Sequence, residues 1–361
     1  MAREVVRRGG PPVVILAIDV GGTKMAAGLI APDGSVTTSR RATTPQGADA
    51  ETLWWTLADL VEPLAGKVEG VGVGCGGPMI WPDGEVSPLN IPGWRRFPLR
   101  ARLTARFPGL PVRLHNDAAC LAVAEHWRGA GQGSQAMLGM VVSTGVGGGL
   151  ILDGRLVDGR TGNAGHIGHV VVEPERGSRC GCGGTGCLET VASGPALVTW
   201  ALAHGWTPHR ASIGDHGWTP HRASIGDHGG GLGGAGEHAP ETGAGAYRED
   251  RRVTARVLAA DARDGDAVAL RAMERAGRAL GVAIASATHL CDLDLVTIGG
   301  GLAQAGEPLF RPLEEALRQH ARMGFARRVK VVPAALGQEA GLVGAAALLL
   351  AGDAYWPRTD A

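Results

Sequence analysis

Short apolar runs separated by glycine turns recur along the first half of the chain. Val13–Ile18 leads into the Gly21-Gly22 turn, and Met25–Ile30 is apolar again. Runs of this length that are bounded by glycine are typical of buried β-strands. Residues 137–157, MLGMVVSTGVGGGLILDGRLV, have the same form. The two units predict a pair of similar β-hairpins, one in each half of the chain.

Strands and helices alternate in the rest of the sequence, which predicts an α/β fold. The further strands are expected at residues 68–80, 111–114 and 293–298, each an apolar run that leads to polar or glycine residues. Apolar residues at helical spacing predict helices at 118–127, at 255–289 with a break at Gly265-Asp266, and at 340–351.

Composition excludes several classes of protein. Among 361 residues, Lys plus Arg (35) equals Asp plus Glu (35), so the chain lacks the basic excess of a nucleic-acid-binding protein. The longest apolar run, Leu342–Ala351, is shorter than the ~20 residues that a membrane span needs. Residues 1–12, MAREVVRRGGPP, make a poor signal peptide because the apolar run that follows breaks at Asp19. We therefore expect a cytoplasmic protein that binds neither nucleic acid nor membrane.

Three cysteines and a histidine predict a metal site. Cys180, Cys182 and Cys187 have a C-x-C-x4-C spacing, and His169 precedes them by eleven residues. Three thiolates and an imidazole are a ligand set for structural Zn²⁺, and a closed site of this kind leaves no position for reactive water. We expect the zinc to organise residues 169–189 rather than to take part in chemistry.

Polar residues at the ends of two predicted strands are candidates for phosphate and substrate chemistry. Asp19 precedes Gly21-Gly22-Thr23, whose N–H groups and hydroxyl could hold phosphate. The same residues are equally compatible with an ordinary glycine turn that Asp19 caps. Asn116 and Asp117 stand before a predicted helix, where strand ends of α/β folds place ligands. Asp117 is also compatible with a plain helix N-cap.

The ordered set of motifs resembles the ROK family of sugar kinases and repressors, within the actin-like ATPase superfamily. The resemblance runs from about Val13 to Ala351 and rests on AIDVGGTK, VGVGCGGP, LNIPGW, HNDA, STGVGGG, AGHIGH, CGCGGTGCLE, TIGGGLA and EAGLVGAA. It implies a two-domain actin-like (ribonuclease H-like) fold with an interdomain cleft. The domains would be 1–124, completed by the helix at 340–352, and 125–339, which carries the zinc loop and a low-complexity insertion at 205–250.

The resemblance implies transfer of the ATP γ-phosphoryl group, accompanied by Mg²⁺, to the 6-hydroxyl of a hexose or N-acylhexosamine, with glucose and N-acetylmannosamine foremost. It makes Asp117 the general base. The sugar ligands would be Asn90, Asn116, His166, His169 and Glu189. The ATP-binding residues would be Asp19, Gly21, Gly22, Thr23, Lys24, Thr144, Gly145, Gly299, Gly300 and Gly301.

Two features qualify this comparison. Many kinases of the family have AGEIGH where this chain has AGHIGH, so His166 puts the recognition of glucose in doubt. Repressors of the family carry an N-terminal helix-turn-helix, for which the residues before the first predicted strand are too few. A non-catalytic sugar-sensing regulator is the alternative function, and the missing helix-turn-helix disfavours it. The family also leads us to expect a homo-oligomer.

A perfect twelve-residue repeat stands apart from these motifs. Gly205–His216 recurs without one difference as Gly217–His228 and is followed by a glycine-rich stretch. The composition predicts a mobile surface loop without a catalytic role, and its four histidines lack the neighbouring cysteine or acidic order that would fix a metal geometry.

Overall fold

The computed structural model describes residues 13–209 and 253–356. Its strands in this part of the chain are β1 Ile15–Val20, β2 Lys24–Ile30, β3 Val36–Thr43, β4 Gly70–Cys75, β5 Met79–Ile80, β6 Glu85–Val86, β7 Val112–Asn116, β8 Ala136–Val142, β9 Val146–Leu152, β10 Arg155–Leu156, β11 Leu295–Gly299 and β12 Lys330–Pro333. Every strand predicted from the apolar runs is present, within a few residues of the predicted position.

The helices of the described ranges are α1 Ala50–Val61, α2 Leu99–Arg106, α3 Asp117–Arg128, α4 Glu189–Ala192, α5 Gly194–Ala203, α6 Ala255–Arg263, α7 Ala267–Cys291, α8 Glu307–His320, α9 Ala340–Leu350 and α10 Gly352–Tyr355. The predicted break at Gly265-Asp266 is confirmed. Gly265 adopts φ +93° between α6 and α7, and the Asp266 side chain accepts the first N–H groups of α7.

Two five-stranded sheets share one topology. The first has the order β3-β2-β1-β4-β7 and the second the order β10-β9-β8-β11-β12. In each, an antiparallel hairpin precedes strands that pair in parallel: β1 with β4 and β4 with β7 in the first sheet, and β8 with β11 and β11 with β12 in the second. The duplicated hairpin predicted from the sequence is therefore present, and the fold is α/β with mixed sheets.

Each sheet is covered by its own hydrophobic core. Leu16 and Ile18 of β1 are fully buried with Leu57 of α1. Met140 of β8 and Leu280 of α7 are buried in the second core. Burial of such side chains contributes ~1.5–3 kcal/mol each and holds both sheets rigid at their carboxyl edges.

Helix α9 returns from the second sheet and packs on the first. A methyl group on Gly72 of β4 would lie 1.9 Å from the Ala345 carbonyl oxygen, and one on Gly344 would lie 1.9 Å from that of Cys120. Only glycine permits so close an approach of the backbones. The Arg113 guanidinium donates to the Leu348 carbonyl oxygen at 2.8 Å and completes the helix end.

The prediction of a mobile loop over the whole segment 205–250 is wrong at its start. Trp206 is buried and its indole N–H donates to the Asp261 carboxylate of α6 at 3.0 Å, and the His209 backbone N–H donates to the same oxygen at 3.1 Å. One tryptophan supplied enough apolar surface to anchor the segment against α6. Residues 210–250, with the second copy of the repeat, lie outside the described residues. Within the described ranges, no helix is long and apolar enough to cross a membrane.

Candidate active site and metal cluster

The first glycine turn lies at the carboxyl edge of the first sheet. β1 and β4 run in parallel and end together, since Val20 is paired with Cys75. The turn is held from behind, because the Thr44 hydroxyl donates to the Gly21 carbonyl oxygen at 2.7 Å and the Gln46 amide donates to that of Gly22 at 2.7 Å. Sequence reasoning missed Thr44 and Gln46, which no motif marks. The Thr23 and Lys24 side chains remain exposed.

Asn116 and Asp117 lie at the same edge, where β7 opens into α3. Asn116 is the N-cap: its side-chain oxygen accepts from Ala118 N at 3.0 Å and from Ala119 N at 3.3 Å. Asp117 is the first residue of the helix, and its Oδ1 accepts from Ala118 N at 2.8 Å. The simple N-cap role considered for Asp117 therefore belongs to Asn116, which leaves the amide NH₂ of Asn116 for another partner.

Two carboxyl groups interact electrostatically at this edge. Burial, followed by the charge of Asp117, raises the pKa of Asp19 from 3.8 to about 7, against the lowering effect of Lys24. Burial also raises the pKa of Asp117. Neighbouring buried carboxylates are costly unless a cation or a proton compensates them. The electrostatics therefore favour positive charge beside Asp19.

Three candidate sugar ligands pack closely against glycines at this edge of the sheet. A methyl group on Gly22 would lie 2.7 Å from the Asn90 amide. One on Gly77 would lie 2.9 Å from His166 Cε1 and 3.1 Å from Asn116 Nδ2. Asn90, Asn116 and His166 therefore converge from three separate segments on the edge that carries Asp117.

His166 has a buried polar atom without a protein partner. Its Nε2 makes no hydrogen bond within the described structure. Burial, with the neighbouring His169, lowers the pKa of His166. Buried polar atoms are rarely left unsatisfied, so the unpaired ring nitrogen of His166 is a candidate ligand contact.

The four residues predicted to bind metal are gathered in one cluster. The ligand atoms of His169, Cys180, Cys182 and Cys187 all lie within 4.8 Å of one another. His169 Nδ1 is 3.6 Å from Cys180 Sγ, and Cys182 Sγ is 3.7 Å from Cys187 Sγ. Zinc–sulfur bonds of ~2.3 Å at tetrahedral angles place neighbouring donors about 3.8 Å apart. The donor set and its spacing therefore fit a closed tetrahedral zinc site.

The thiol environments agree with a site that is completed by a cation. Burial raises the pKa of Cys187 to about 12 and raises that of Cys180, whereas the Gly184 N–H lowers the pKa of Cys182. Thiolates are the metal-binding form, so a bound cation would reverse the two upward shifts.

The metal cluster is continuous with both glycine turns. The His166 and His169 rings stack with centroids 6.0 Å apart, which joins the cluster to the edge of the first sheet. Glu189 follows Cys187 by two residues and its Oε2 accepts from Val146 N at 2.9 Å, beside Gly145. Any metal that fixes the cysteines therefore also fixes the Glu189 carboxylate over the second turn.

The second turn meets the third glycine motif. Gly300, which follows β11 with φ +90°, packs so tightly on β8 that a methyl group there would lie 2.3 Å from the Val142 carbonyl oxygen. The Gly194 N–H donates to the Ser143 carbonyl oxygen at 2.7 Å. Thr144, Gly145, Gly299 and Gly300 therefore share the carboxyl edge of the second sheet, and a methyl group on Gly301 would meet no atom within 4 Å.

Comparison with known proteins gives the family. The family model described as "ROK family" matches residues 15–351. The chain belongs to the ROK family. It is 33% identical to a glucokinase of Thermotoga maritima over 343 residues, 94% of this chain and 98% of the relative. It is 41% identical to an N-acetylmannosamine kinase of Shigella flexneri over 192 residues, 52% of this chain and 64% of the relative.

A solved structure supports the same assignment. The ROK family glucokinase of Streptomyces griseus, crystallised with glucose and AMPPNP, superposes with a TM-score of 0.74 and 32% identity. The superposition covers 93% of this chain and 98% of that one. The α/β architecture described above is therefore that of the ROK kinases, which have the actin-like ATPase fold.

Proposed function

We propose that the chain is an ATP-dependent sugar kinase that phosphorylates the 6-hydroxyl of a hexose or N-acylhexosamine. The observation that carries the proposal is the half-buried carboxyl group of Asp117, which lies at one sheet edge together with a glycine turn and the amides of Asn90 and Asn116. We assign the reaction to a cleft between residues 1–124 with helix 340–352 and residues 125–339. The sugar kinases among the similar proteins support this assignment.

Asp117 is proposed as the general base. A sugar hydroxyl is a weak nucleophile, and a carboxylate beside it accepts its proton while the phosphoryl group passes through a loose transition state. The N–H of Ala118 holds one oxygen of Asp117 in place at 2.8 Å, so the second oxygen is available to the hydroxyl. Asn116 and Asn90 offer amides, which both donate to and accept from sugar hydroxyls.

The two glycine turns are proposed to hold ATP from opposite sides. Gly21, Gly22 and Thr23 would supply N–H groups and a hydroxyl on one side, and Thr144 and Gly145 on the other, with Gly299 to Gly301 beside the adenosine. Asp19 would face the Mg²⁺ that accompanies ATP, since its raised pKa marks a place where positive charge is favourable. Mg²⁺ neutralises charge on the phosphates of ATP.

Sugar selection is proposed to depend on the loop that carries His166. The free Nε2 of His166 and the Glu189 carboxylate are hydrogen-bonding groups of different charge. Bound zinc would hold His169 and the Cys180–Cys187 loop, and through them Glu189, without itself contacting the reacting atoms. Glucose and N-acetylmannosamine are the two substrates to compare first, because relatives that phosphorylate each are similar to this chain.

The proposal is tested by ADP release, measured with glucose, mannose, N-acetylmannosamine, N-acetylglucosamine and fructose as acceptors. We expect turnover that depends on both sugar and Mg²⁺, and ³¹P–¹H NMR of the product should show the phosphate on carbon 6. Omission of sugar controls for ATP hydrolysis. Sugar binding without turnover on any acceptor would favour the sensing regulator instead.

A further inference from the structure

A buried histidine that belongs to none of the motif roles lies directly before the proposed catalytic pair. His115 is the penultimate residue of β7 and is 2% exposed. Its Nδ1 accepts the Asn116 backbone N–H at 2.8 Å. Because Nδ1 accepts, the ring proton is on Nε2, which donates to Asp158 Oδ1 at 2.8 Å.

Asp158 brings the second half of the chain to this histidine. It follows β10, and its two oxygens also accept the indole N–H of Trp356 at 3.0 and 2.8 Å. The Asp158 side chain is 23% exposed, and the rings of Trp81 and Trp356 flank His115 with centroids 5.8 and 6.2 Å away. The rings of Trp81 and Trp356 therefore shield the His115–Asp158 bond, and the indole N–H of Trp356 also fixes the direction of the Asp158 carboxylate.

The same aspartate fixes the loop that carries His166. Its carbonyl oxygen accepts from Ala164 N at 3.0 Å. One residue earlier, the Asn163 side chain accepts from Met79 N at 3.0 Å and donates to Met79 O at 2.9 Å. The loop thus reaches His166 with two attachments to the first half of the chain, one at Met79 and one at His115.

We propose that His115 and Asp158 are positioning residues for the sugar site. They hold the Asn116-Asp117 peptide at a fixed distance from the His166 loop. Asn116 and His166, which approach each other at Gly77, therefore keep their relative positions. This inference rests on the proposed function, because it assigns sugar recognition to that meeting point. The ATP side of the site, on the β1–β2 and β8–β9 turns, is outside the network.

Four variants test the pair: Asp158→Ala, His115→Asn, the double variant, and Asp294→Ala as matched control. Asn at 115 can still accept the Asn116 N–H but is too short to reach Asp158. Asp294 accepts from Ser134 Oγ and the N–H groups of Gln135 and Ala136, at the start of β8 and at the sheet edge opposite to the candidate site. Dissociation constants for sugar and for MgATP are measured by calorimetry, together with kcat and Tm.

We expect Asp158→Ala to raise the sugar Kd about tenfold and to lower kcat at least ~10-fold, because small misplacements of reacting groups are costly. The MgATP Kd should stay within about twofold of the wild type, a split that general destabilisation would not give. The double variant should equal Asp158→Ala alone, since both substitutions break one link. Asp294→Ala should lower Tm while it leaves both constants unchanged.

The inference is overturned if Asp158→Ala and His115→Asn leave sugar affinity at the Asp294→Ala level, or if their effects multiply in the double variant. Should Asp158→Ala not fold, Asp158→Asn carries the test, because either orientation of its amide turns an NH₂ donor toward at least one of the two ring N–H groups. A sugar Kd within twofold of wild type would then overturn the inference. A wild type that binds sugar without turnover would refute only the proposed kinase activity. The sugar Kd values of the variants would still test the positioning role of His115 and Asp158. A wild type that binds no sugar of the panel would refute both.

Discussion

The two hairpin turns of this chain have the same topology and different chemistry. In the first half, β1 and β2 enclose a turn that follows Asp19, an acid whose pKa is raised to about 7. In the second half, β8 and β9 enclose Ser143-Thr144-Gly145, which has no acid of its own and takes its carboxylate from Glu189. The sheets are duplicated, but the charge on their carboxyl edges is not.

This difference separates the tasks of the two halves. The first edge brings together two half-buried carboxyl groups, Asp19 and Asp117, which suit cation binding and proton transfer. The second edge presents neutral N–H and hydroxyl groups and depends on the metal cluster for the position of Glu189. Substitutions in the first turn should therefore change chemistry, and those in the second should change geometry.

The largest contrast is expected for Asp19→Asn against Ser143→Ala. Loss of the Asp19 charge should lower kcat by ~10²–10³-fold, because removal of one preorganised electrostatic contact costs about this much. Ser143→Ala should lower kcat less than tenfold, as it removes a neutral group. Steady-state ADP release gives both values. Equal losses of kcat in the two variants would contradict the different roles assigned to the two turns.

Asp19→Asn should also stabilise the protein without ligands, in a pH-dependent way. The pKa of Asp19 is raised in the folded chain, so its favourable contribution is complete below about pH 4 and is lost as pH rises through about 7. Asparagine stays neutral, so the Tm of the variant should exceed that of the wild type by a few degrees at pH 8 and by less at pH 5. Thermal scans at both pH values check this, and a Tm difference that is larger at pH 5 would contradict it.

A smaller effect is expected from the metal cluster. Cys182→Ser should lose stoichiometric zinc and raise the sugar KM about 10-fold, because groups that orient a ligand typically contribute 10–100-fold. Plasma emission analysis and kinetics measure the two effects. Cys291→Ser, a half-buried cysteine outside the cluster, is the matched control. A wild type without bound zinc would remove the basis of this prediction.

Alanine substitutions at the turn glycines should raise the sugar KM a few-fold more in the first hairpin turn than in the second. In Gly22→Ala the new methyl group meets Asn90 close to its backbone, including Cβ at 2.8 Å. In Gly145→Ala it meets only the far end of the Glu189 side chain, Oε2 at 2.7 Å. We expect the sugar KM to rise more for Gly22→Ala, with Gly66→Ala, where no atom lies within 4 Å, as control. The reverse order would show that Glu189 is the less adaptable ligand.

The smallest effect is expected for deletion of Gly217–His228. Because the copies are identical, this deletion gives the same chain as deletion of Gly205–His216, and GWTPH still follows α5. The Trp206 and His209 contacts with Asp261 should therefore form again. Activity and Tm should match the wild type within error, and a clear loss of either would show that the second copy has a role.

The fold followed closely from the sequence because its strands are continuous apolar runs that end in glycine. Met25–Ile30 and Val13–Ile18 required only small shifts in their bounds. The metal ligands were also predictable, since Cys180, Cys182 and Cys187 are close in sequence. The burial of Trp206 was not predicted, because the composition of the whole repeat indicated a surface loop despite this one aromatic residue.

Long-range polar contacts were not predictable. His115, Asp158 and Trp356 come from three distant segments, and no local spacing joins them. Thr44 and Gln46 support the first turn from the loop that follows β3, again without a motif. Such contacts depend on the packing of whole elements, which local propensity and periodicity do not encode.

The central claim is that Asp117 is the base of a sugar kinase, and Asp117→Asn tests it most directly. Asparagine keeps the shape and can still accept the Ala118 N–H, but it cannot take a proton from the sugar. With the best acceptor of the panel, we expect kcat to fall ~10²–10⁴-fold while the sugar Kd, measured by calorimetry, stays within about threefold. A variant that binds sugar equally well and keeps kcat within tenfold of the wild type would contradict the account.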